Sequence, residues 1–347
     1  MQIDKNKPVL VTGATGYVAG WLVKQLLEEG ITVHAAVRDP GKKEKVAHLD
    51  EMAAKSAGSI KYFKADLLTE GAYEAAMAGC ELVYHTASPF ILKYDDPQKD
   101  LVDPAVKGTK NVLASANKVT SVKRVVVTSS CASIYGDNID LQKTKNGVFT
   151  EEDWNTTSSL THQSYSYSKV MAEKAAWEMA NAQNRWDLVV VNPSLVIGPG
   201  TNADATSASF DIARQMGDGT MKMGAPGFNI GAVDVRDVAE VHYRAGYNPN
   251  AQGRYITSSE NTNFLELASY LKEAFPDYPL PSRKLPKWLI WLTAPAAGMT
   301  RKSVSKNIDH PWRADHSKAE QELGITFRPL APGMREMFQQ LIDSGQI

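Results

Sequence analysis

Short apolar runs rich in valine alternate with amphipathic stretches along the first half of the chain. Val9-Leu10-Val11 has the pattern of a buried strand closed by Thr12-Gly13, and Val18, Leu22 and Leu26 then recur at helical spacing up to Gly30. Further strand patterns lie at residues 32–37, 60–65, 82–85, 125–128 and 188–191. Helical patterns separate them, including 104–117 and 167–181. Continuous valine runs suit strands buried on both faces, and a helix between successive strands suits parallel pairing. The expected fold class is therefore α/β, a Rossmann-type doubly wound parallel sheet. After Asn192-Pro193 the pattern loosens. Residues 198–229 are rich in Gly, Ala, Ser and Thr, with a helix predicted over 208–216; residues 233–239 read as the start of another helix, and 255–257 as a short strand. From residue 260 the pattern is mostly helical and interrupted by prolines, which predicts a smaller, mostly helical C-terminal lobe over the carboxyl edge of the sheet.

Composition narrows the classes of function. The 347 residues suit one large domain or two fused ones, and 43% hydrophobic with 22% charged residues is ordinary for a globular chain. A formal net charge of −1 provides no global field for nucleic acid or an acidic membrane. The apolar stretch at 288–292 stops at Pro295, too short to cross a bilayer. Cys80 and Cys131 lie in or beside apolar runs, without a Cys-x-x-Cys motif. With a polar N-terminus that runs directly into a strand and carries no signal peptide, they predict a reducing, cytoplasmic setting.

The first strand leads into Gly13-Ala-Thr-Gly16-Tyr-Val-Ala19. A pyrophosphate needs close approach of backbone N–H groups, which glycine permits, and the positive end of a helix dipole. The spacing is Gly-x-x-Gly-x-x-Ala, and its place between a first strand and a first helix marks a dinucleotide site, with Thr12, Gly13, Thr15, Gly16, Tyr17 and Val18 as expected contacts. About 20 residues on, at the end of the second strand, an acid would read a ribose 2′-hydroxyl and an arginine a 2′-phosphate. Arg38 stands there, followed by Asp39, Lys42 and Lys43, so NADPH/NADP is the expected cofactor, with Arg38 and Lys42 on the phosphate. Asp66 and Leu67 end the third strand near the expected adenine, and Thr86, Ala87 and Ser88 end the fourth near a ribose.

Of 13 tyrosines, Tyr165 alone has a lysine at the fourth position after it. On a helix, Tyr165 and Lys169 share a face. A free phenol, with a pKa near ~10, is a weak acid at neutral pH, and a nearby cation strengthens it. Carbonyl reduction needs a hydride at carbon and a proton at oxygen. Tyr165 would supply the proton, Lys169 would tune it and hold the nicotinamide ribose, and a serine of Thr128-Ser129-Ser130 would hydrogen-bond the carbonyl oxygen. Chemistry by itself does not separate Ser129 from Ser130.

These residues carry a resemblance. The chain resembles an extended short-chain dehydrogenase/reductase, in the branch of dihydroflavonol reductases, cinnamoyl-CoA reductases and yeast methylglyoxal (carbonyl) reductases. The matching stretches run from Thr12–Ala19 through Val37-Arg-Asp-Pro40, His85-Thr-Ala-Ser-Pro-Phe90, Val127-Thr-Ser-Ser130, Tyr165–Lys169 with Ala172-Glu-Lys-Ala-Ala-Trp177, and Asn192-Pro193, to Asp315-His-Ser-Lys318 and Glu322-Leu-Gly324. The resemblance implies that Ser130 is the catalytic serine, that Arg38 selects NADPH, and that Asn192, Pro193, Ser194 and Val196 join the cofactor contacts. Two departures stand out. Ala105-Val-Lys-Gly-Thr109 replaces the Asn-Val-x-Gly-Thr of many relatives, leaving the asparagine's proton-relay role vacant. Tyr135 holds the place where dihydroflavonol reductases put a substrate-contacting asparagine, which argues against a dihydroflavonol, and His85-Thr-Ala-Ser-Pro-Phe90 reads more like the carbonyl and methylglyoxal reductases.

The expected activity is NADPH-dependent reduction of aldehydes or ketones, aromatic or otherwise apolar, such as cinnamaldehyde or methylglyoxal-type substrates. The catalytic set is Ser130, Tyr165 and Lys169, and Phe90, Tyr135, Phe210 and Met223 are candidate pocket residues. The alternative is an NAD-dependent nucleotide-sugar epimerase or dehydratase of the same fold; against it, Ser130-Cys-Ala-Ser133 offers no carboxylate beside the serine. A non-catalytic NADP(H)-sensing module would lack a reason to keep Tyr165. No metal is expected, since His310, Asp315 and His316 find no third imidazole or cysteine. The expected partner is a small-molecule carbonyl, with the oligomeric state open. Residues 1–192 and 230–258 are assigned to the NADP-binding domain, and 193–229 and 259–347 to the substrate lobe.

Overall fold

The computed structural model describes residues 1–88, 94–202 and 207–347. Its main sheet uses β1 (Val9–Thr12), β2 (Thr32–Val37), β3 (Ser59–Lys64), β4 (Leu82–His85), β5 (Arg124–Thr128), β6 (Asp187–Pro193) and, further along, β9 (Gly253–Thr257). The order is β3-β2-β1-β4-β5-β6-β9, and every pairing is parallel. Between the first strands run α1 (Tyr17–Glu28), α2 (Lys43–Ala54), α3 (Glu74–Met77), α4 (Asp103–Lys118) and α5 (Ser164–Asn181). The strand order reverses between β1 and β4, the switch point where open α/β sheets bind ligands beyond the strand carboxyl ends.

Strand side chains alternate between two cores, which explains the unbroken apolar runs. Val9, Val11, Val33, Ala35, Val126 and Val189 pack on one face against α1 and α2. Leu10, Ala36, Val83, Val125, Val127 and Val190 pack on the other, against α3, α4 and α5. The six strands expected in the first half and their flanking helices are therefore present, and the short strand expected at 255–257 joins the same sheet as β9.

A second sheet was not legible in the sequence pattern. It joins β7 (Leu195–Ile197), β8 (Asn229–Asp234) and β10 (Glu260–Asn263) in the order β10-β8-β7. The helix expected to begin at residue 233 begins at Val235 instead, because Asp234 has extended backbone and its carboxylate caps the helix through the Arg236 N–H. The remaining helices are α6 (Ala208–Gly217), α7 (Val235–Tyr247), α8 (Phe264–Ser269), α9 (Lys287–Thr293), α10 (Arg301–Asn307), α11 (Ser317–Leu323) and α12 (Leu330–Asp343). Helices α6, α8 and α12 close a third core over Ile197 and Ala232, while α9 and α10 form a small one of their own. Helix α11 does not follow the rest of the C-terminal region; its Ala319 and Leu323 join the first core beneath the main sheet. No helix among the described residues is long and apolar enough to cross a membrane.

His242, on α7, links that helix to the end of β5. Its Nδ1 faces the Val238 carbonyl at 2.7 Å and its Nε2 faces the Thr128 hydroxyl at 2.6 Å. A neutral ring with the proton on Nδ1 satisfies both partners. Burial holds this imidazole down at about 4, from an ordinary 6.5. A depressed folded-state pKa means that the unfolded chain binds more protons between those values. The stability it contributes is present above pH 6.5 and is lost as pH falls toward 4. His242→Gln is expected to flatten the decline of melting temperature between pH 6.5 and 4; an unchanged slope would contradict this assignment.

Candidate active site

The sequence-predicted residues gather at the carboxyl ends of β1, β4 and β5, alongside the first turns of α5. Gly13 follows β1 with φ +63, and a Cβ there would lie 3.1 Å from the Ala87 Cα and Cβ, so both the turn and the approach to β4 require glycine. The Gly16 N–H donates to the Gly13 carbonyl at 2.8 Å, and Gly16 begins α1 with no side-chain cap. The first-turn N–H groups of α1 thus have no intrahelical acceptor and no cap. Thr12 is fully buried; its hydroxyl takes the Ala87 N–H at 3.1 Å and lies 3.0 Å from His85 Nδ1, which locks the ends of β1 and β4 together. Arg38, at the end of β2, is exposed and makes no hydrogen bond or ion pair among the described residues; neighbouring Asp39 turns back on the Gly41 N–H at 3.0 Å. Lys42 is exposed at the start of α2, and Asp66 is exposed just after β3. An uncapped helix start, a glycine cradle and an uncommitted guanidinium fit a dinucleotide phosphate.

The two serines separate by their partners. Ser129 is buried and donates its hydroxyl at 2.5 Å to the Glu173 carboxylate. Ser130 is only half-buried; its Oγ accepts the Ala132 N–H at 3.1 Å and keeps its own proton available among the described residues. Of the two serines, Ser130 is therefore the one whose hydroxyl proton is uncommitted among the described residues.

Helix α5 begins at Ser164, three residues earlier than its sequence pattern indicates, so Tyr165 lies in its first turn. Tyr165 is 46% exposed, and its phenol has no hydrogen-bond partner among the described residues. One turn on, the Lys169 Nζ lies 5.6 Å from the Tyr165 ring centroid and donates to the Ser88 Oγ at 2.9 Å. Lys169 thereby spans from α5 to the end of β4. Beneath it, burial and then the Lys169 charge hold the His85 imidazole down at about 4, so it is neutral at neutral pH and adds no second cation.

A buried group missed by sequence reasoning supports this arrangement. Glu173, one further turn along α5, is 1% exposed. It pairs with Arg254 of β9 at 2.7 Å and also accepts from Ser129, Ser133, Asn192 and Trp177. Asn192 in turn donates to the Ser130 carbonyl at 3.2 Å, and the Ser133 Oγ lies 2.7 Å from the same carbonyl. The available signal was an acid at the fourth position after Lys169, within a stretch of small alanines; an arginine in a short strand was its counterpart.

The remaining expected residues are placed as follows. The Asn192 side chain is fully buried in the Glu173 network. The Tyr17 phenol donates to the Gly198 carbonyl at 2.6 Å and its ring meets Phe210 edge-on at 5.4 Å. Phe210 is buried in the third core. Tyr135 stacks on Phe149 at 4.9 Å and packs against Trp312, while Met223 is 60% exposed. Leu67 packs against the second core, close to Gly108 of α4. Pro193 is buried at the end of β6, the Ser194 N–H donates to the Thr257 carbonyl at 3.0 Å, and Val196 pairs with Val233. Phe90 lies outside the described residues. His310 faces the Ser305 carbonyl, and His316 packs on Phe327.

Residues 9–257 match the model of the NAD dependent epimerase/dehydratase family. The chain is similar to the cinnamoyl-CoA reductase CAD2 of Medicago truncatula, with 40% identity over 278 residues, covering 79% of this chain and 83% of that one. It is 38% identical over 284 residues to the anthocyanidin reductase of Arabidopsis thaliana, covering 79% and 82%. Among solved structures, the yeast methylglyoxal/isovaleraldehyde reductase Gre2 complexed with NADPH superposes with a TM-score of 0.78 at 27% identity, covering 98% of this chain and 100% of that one.

Removing one partner from a buried ion pair leaves the other uncompensated. Glu173→Gln is expected to lower unfolding free energy by about 3–5 kcal/mol in urea titrations. Glu173→Gln combined with Arg254→Met should recover part of that loss. A single variant within ~1 kcal/mol of the parent would show that the network is not structural.

Proposed function

The chain belongs to the NAD dependent epimerase/dehydratase family, in the branch of extended short-chain dehydrogenase/reductases that contains dihydroflavonol, cinnamoyl-CoA and anthocyanidin reductases, and we propose that it reduces aldehydes and ketones with NADPH. It is an NAD(P)-dependent reductase of that type. The observation that supports the finer reading is the set at the sheet edge: the Ser130 donor, the exposed Tyr165 phenol and Lys169, which reaches from the Tyr165 ring to Ser88.

The cofactor, when bound, supplies hydride to the carbonyl carbon. Ser130 donates a hydrogen bond to the carbonyl oxygen and orients it. Charge grows on that oxygen, and Tyr165 hands it a proton. The Lys169 ammonium stabilises the phenolate left behind, and its bond to Ser88 keeps it beside the strand end where a ribose would lie. Neutral His85 leaves the Lys169 charge without a competitor. Gly13, Gly16 and the start of α1 would hold the pyrophosphate, and Arg38 the 2′-phosphate.

The C-terminal region is proposed as the substrate side. Its α9 leaves Trp288, Trp291 and Leu292 exposed, and adjoining α10 reaches the start of α5 through the Gln163–Ser303 contact at 3.4 Å. Exposed apolar and aromatic side chains on that side support aromatic or otherwise apolar carbonyls. An epimerase or dehydratase reading is less well supported, because the carboxylate nearest the serines, Glu173, is turned inward and saturated with donors. Two buried, free cysteines support action in a reducing compartment such as the cytoplasm.

Tyr165→Phe is expected to lower turnover by roughly 10²-fold or more, with the NADPH dissociation constant unchanged. Parental activity in this variant would refute the role. Arg38→Ala should raise the Michaelis constant for NADPH by about tenfold and leave that for NADH alone; a parent enzyme that prefers NADH would overturn the cofactor assignment. The substrate is read by NADPH oxidation across methylglyoxal, cinnamaldehyde, aromatic ketones and a dihydroflavonol.

A further inference from the structure

We propose that Asp137 is the positioning residue for Tyr165, its buried carboxylate tying the start of α5 to α10 and to the chain just beyond Ser130. The inference rests on the reductase reading of Tyr165. Local chemistry by itself starts α5 poorly. Its N-cap, Gln163, lies in the left-handed region at φ 55 and ψ 49 and makes no side-chain cap. Tyr165 stands two residues later, in the turn where helices fray. Something outside the helix has to hold that turn.

The holding group is a single carboxylate. Asp137 is fully buried. The His162 Nε2 donates to its Oδ2 at 2.7 Å, and the Gln163 Nε2 to its Oδ1 at 3.4 Å. These are the two residues directly before Ser164. From the opposite side, the Asn307 Nδ2 of α10 donates to Oδ1 at 2.7 Å, and the Lys306 Nζ lies 3.3 Å from Oδ2. Asn307 also accepts the Asn138 N–H at 2.9 Å, so α10 grips the chain on both sides of the 137–138 peptide. Asn307 and His162 are themselves buried.

A carboxylate offers lone pairs only, and here donors arrive from both flanking segments. Such a group cannot rotate without stranding a buried donor. An asparagine in its place would keep the size but turn two N–H groups toward donors. The His162–Gln163 turn would then loosen, and Tyr165 would lose its aim. The Gly13–Gly16 turn touches none of these groups, so cofactor affinity is predicted to be independent of them.

The test measures turnover with NADPH and cinnamaldehyde or methylglyoxal, and NADPH affinity by fluorescence titration. Asp137→Asn is expected to lower kcat by about tenfold to a hundredfold while the NADPH dissociation constant stays within about twofold. His162→Leu should behave likewise, whereas His162→Gln, which still offers an N–H, should keep kcat within about threefold of the parent. Asn307→Ala removes one donor from the α10 side and is expected to lower kcat several-fold; with the His162 pair it decides the matter where Asp137→Asn does not fold. Parental kcat in these variants, or NADPH affinity falling in step with kcat, would overturn the proposal. Tyr165→Phe, measured alongside, separates the two levels. If it retains turnover, the reductase reading fails; if it is inactive while Asp137→Asn is parental, only the positioning role fails.

Discussion

A carboxylate taken fully out of water must be matched donor for donor, and the rest of this structure is arranged around one such group, Glu173. Its partners come from the end of β5, the turn that follows, β6, β9 and α5 itself. Leaving any of them unpaired in the interior would cost on the order of 1–3 kcal/mol, more where a charge is involved. The carboxylate is therefore satisfied in one relative placement of these elements. That placement sets the direction of Ser130, whose carbonyl accepts from Asn192, a member of the network, and lies beside the Ser133 hydroxyl.

Helix α5 carries this constraint to the surface. Tyr165, Lys169 and Glu173 follow one another at intervals of four on the same helical face. The innermost is buried and paired, the middle one bridges to β4, and the outermost is exposed. A helix pinned at depth by an ion pair and at its start by a second buried carboxylate, Asp137, is a stiff post for the proposed proton donor. The two carboxylates do different work. Glu173 joins α5 to the parallel sheet, whereas Asp137 joins it to one helix of the C-terminal region, α10.

The main sheet was legible because its signals are local and strong. Strands with side chains in two cores show unbroken apolar runs, and helices between them show a 3.6-residue period. The second sheet was not, because β7 is only three residues long, β8 is interrupted by Gly231 and ends in Asn229 and Asp234, and β10 is polar throughout. Its residues become strands by pairing with each other, and pairing is not written in any one segment. Phe210 and Tyr135 show the same limit within the site. Each is an aromatic residue near functional motifs in sequence, yet Phe210 fills the core beside Tyr17 and Tyr135 stacks on Phe149.

Sequence alone determined the parallel α/β architecture, the glycine turn, Arg38 at the end of the second strand and the Tyr165–Lys169 pair, because each depends on residue type at short spacing. The resemblance named Ser130, but nothing local to Ser129-Ser130 told the two hydroxyls apart. The tertiary structure distinguished them, since Glu173, 44 residues beyond Ser129, captures one hydroxyl and leaves the other at the edge. It also decided where α5 begins, through contacts from Asp137 and α10 that reach 140 residues along the chain from Gln163 to Ser303. Hydrogen bonds between distant segments exist only once the chain has closed on itself, so the partners of a buried charge are a property of the fold.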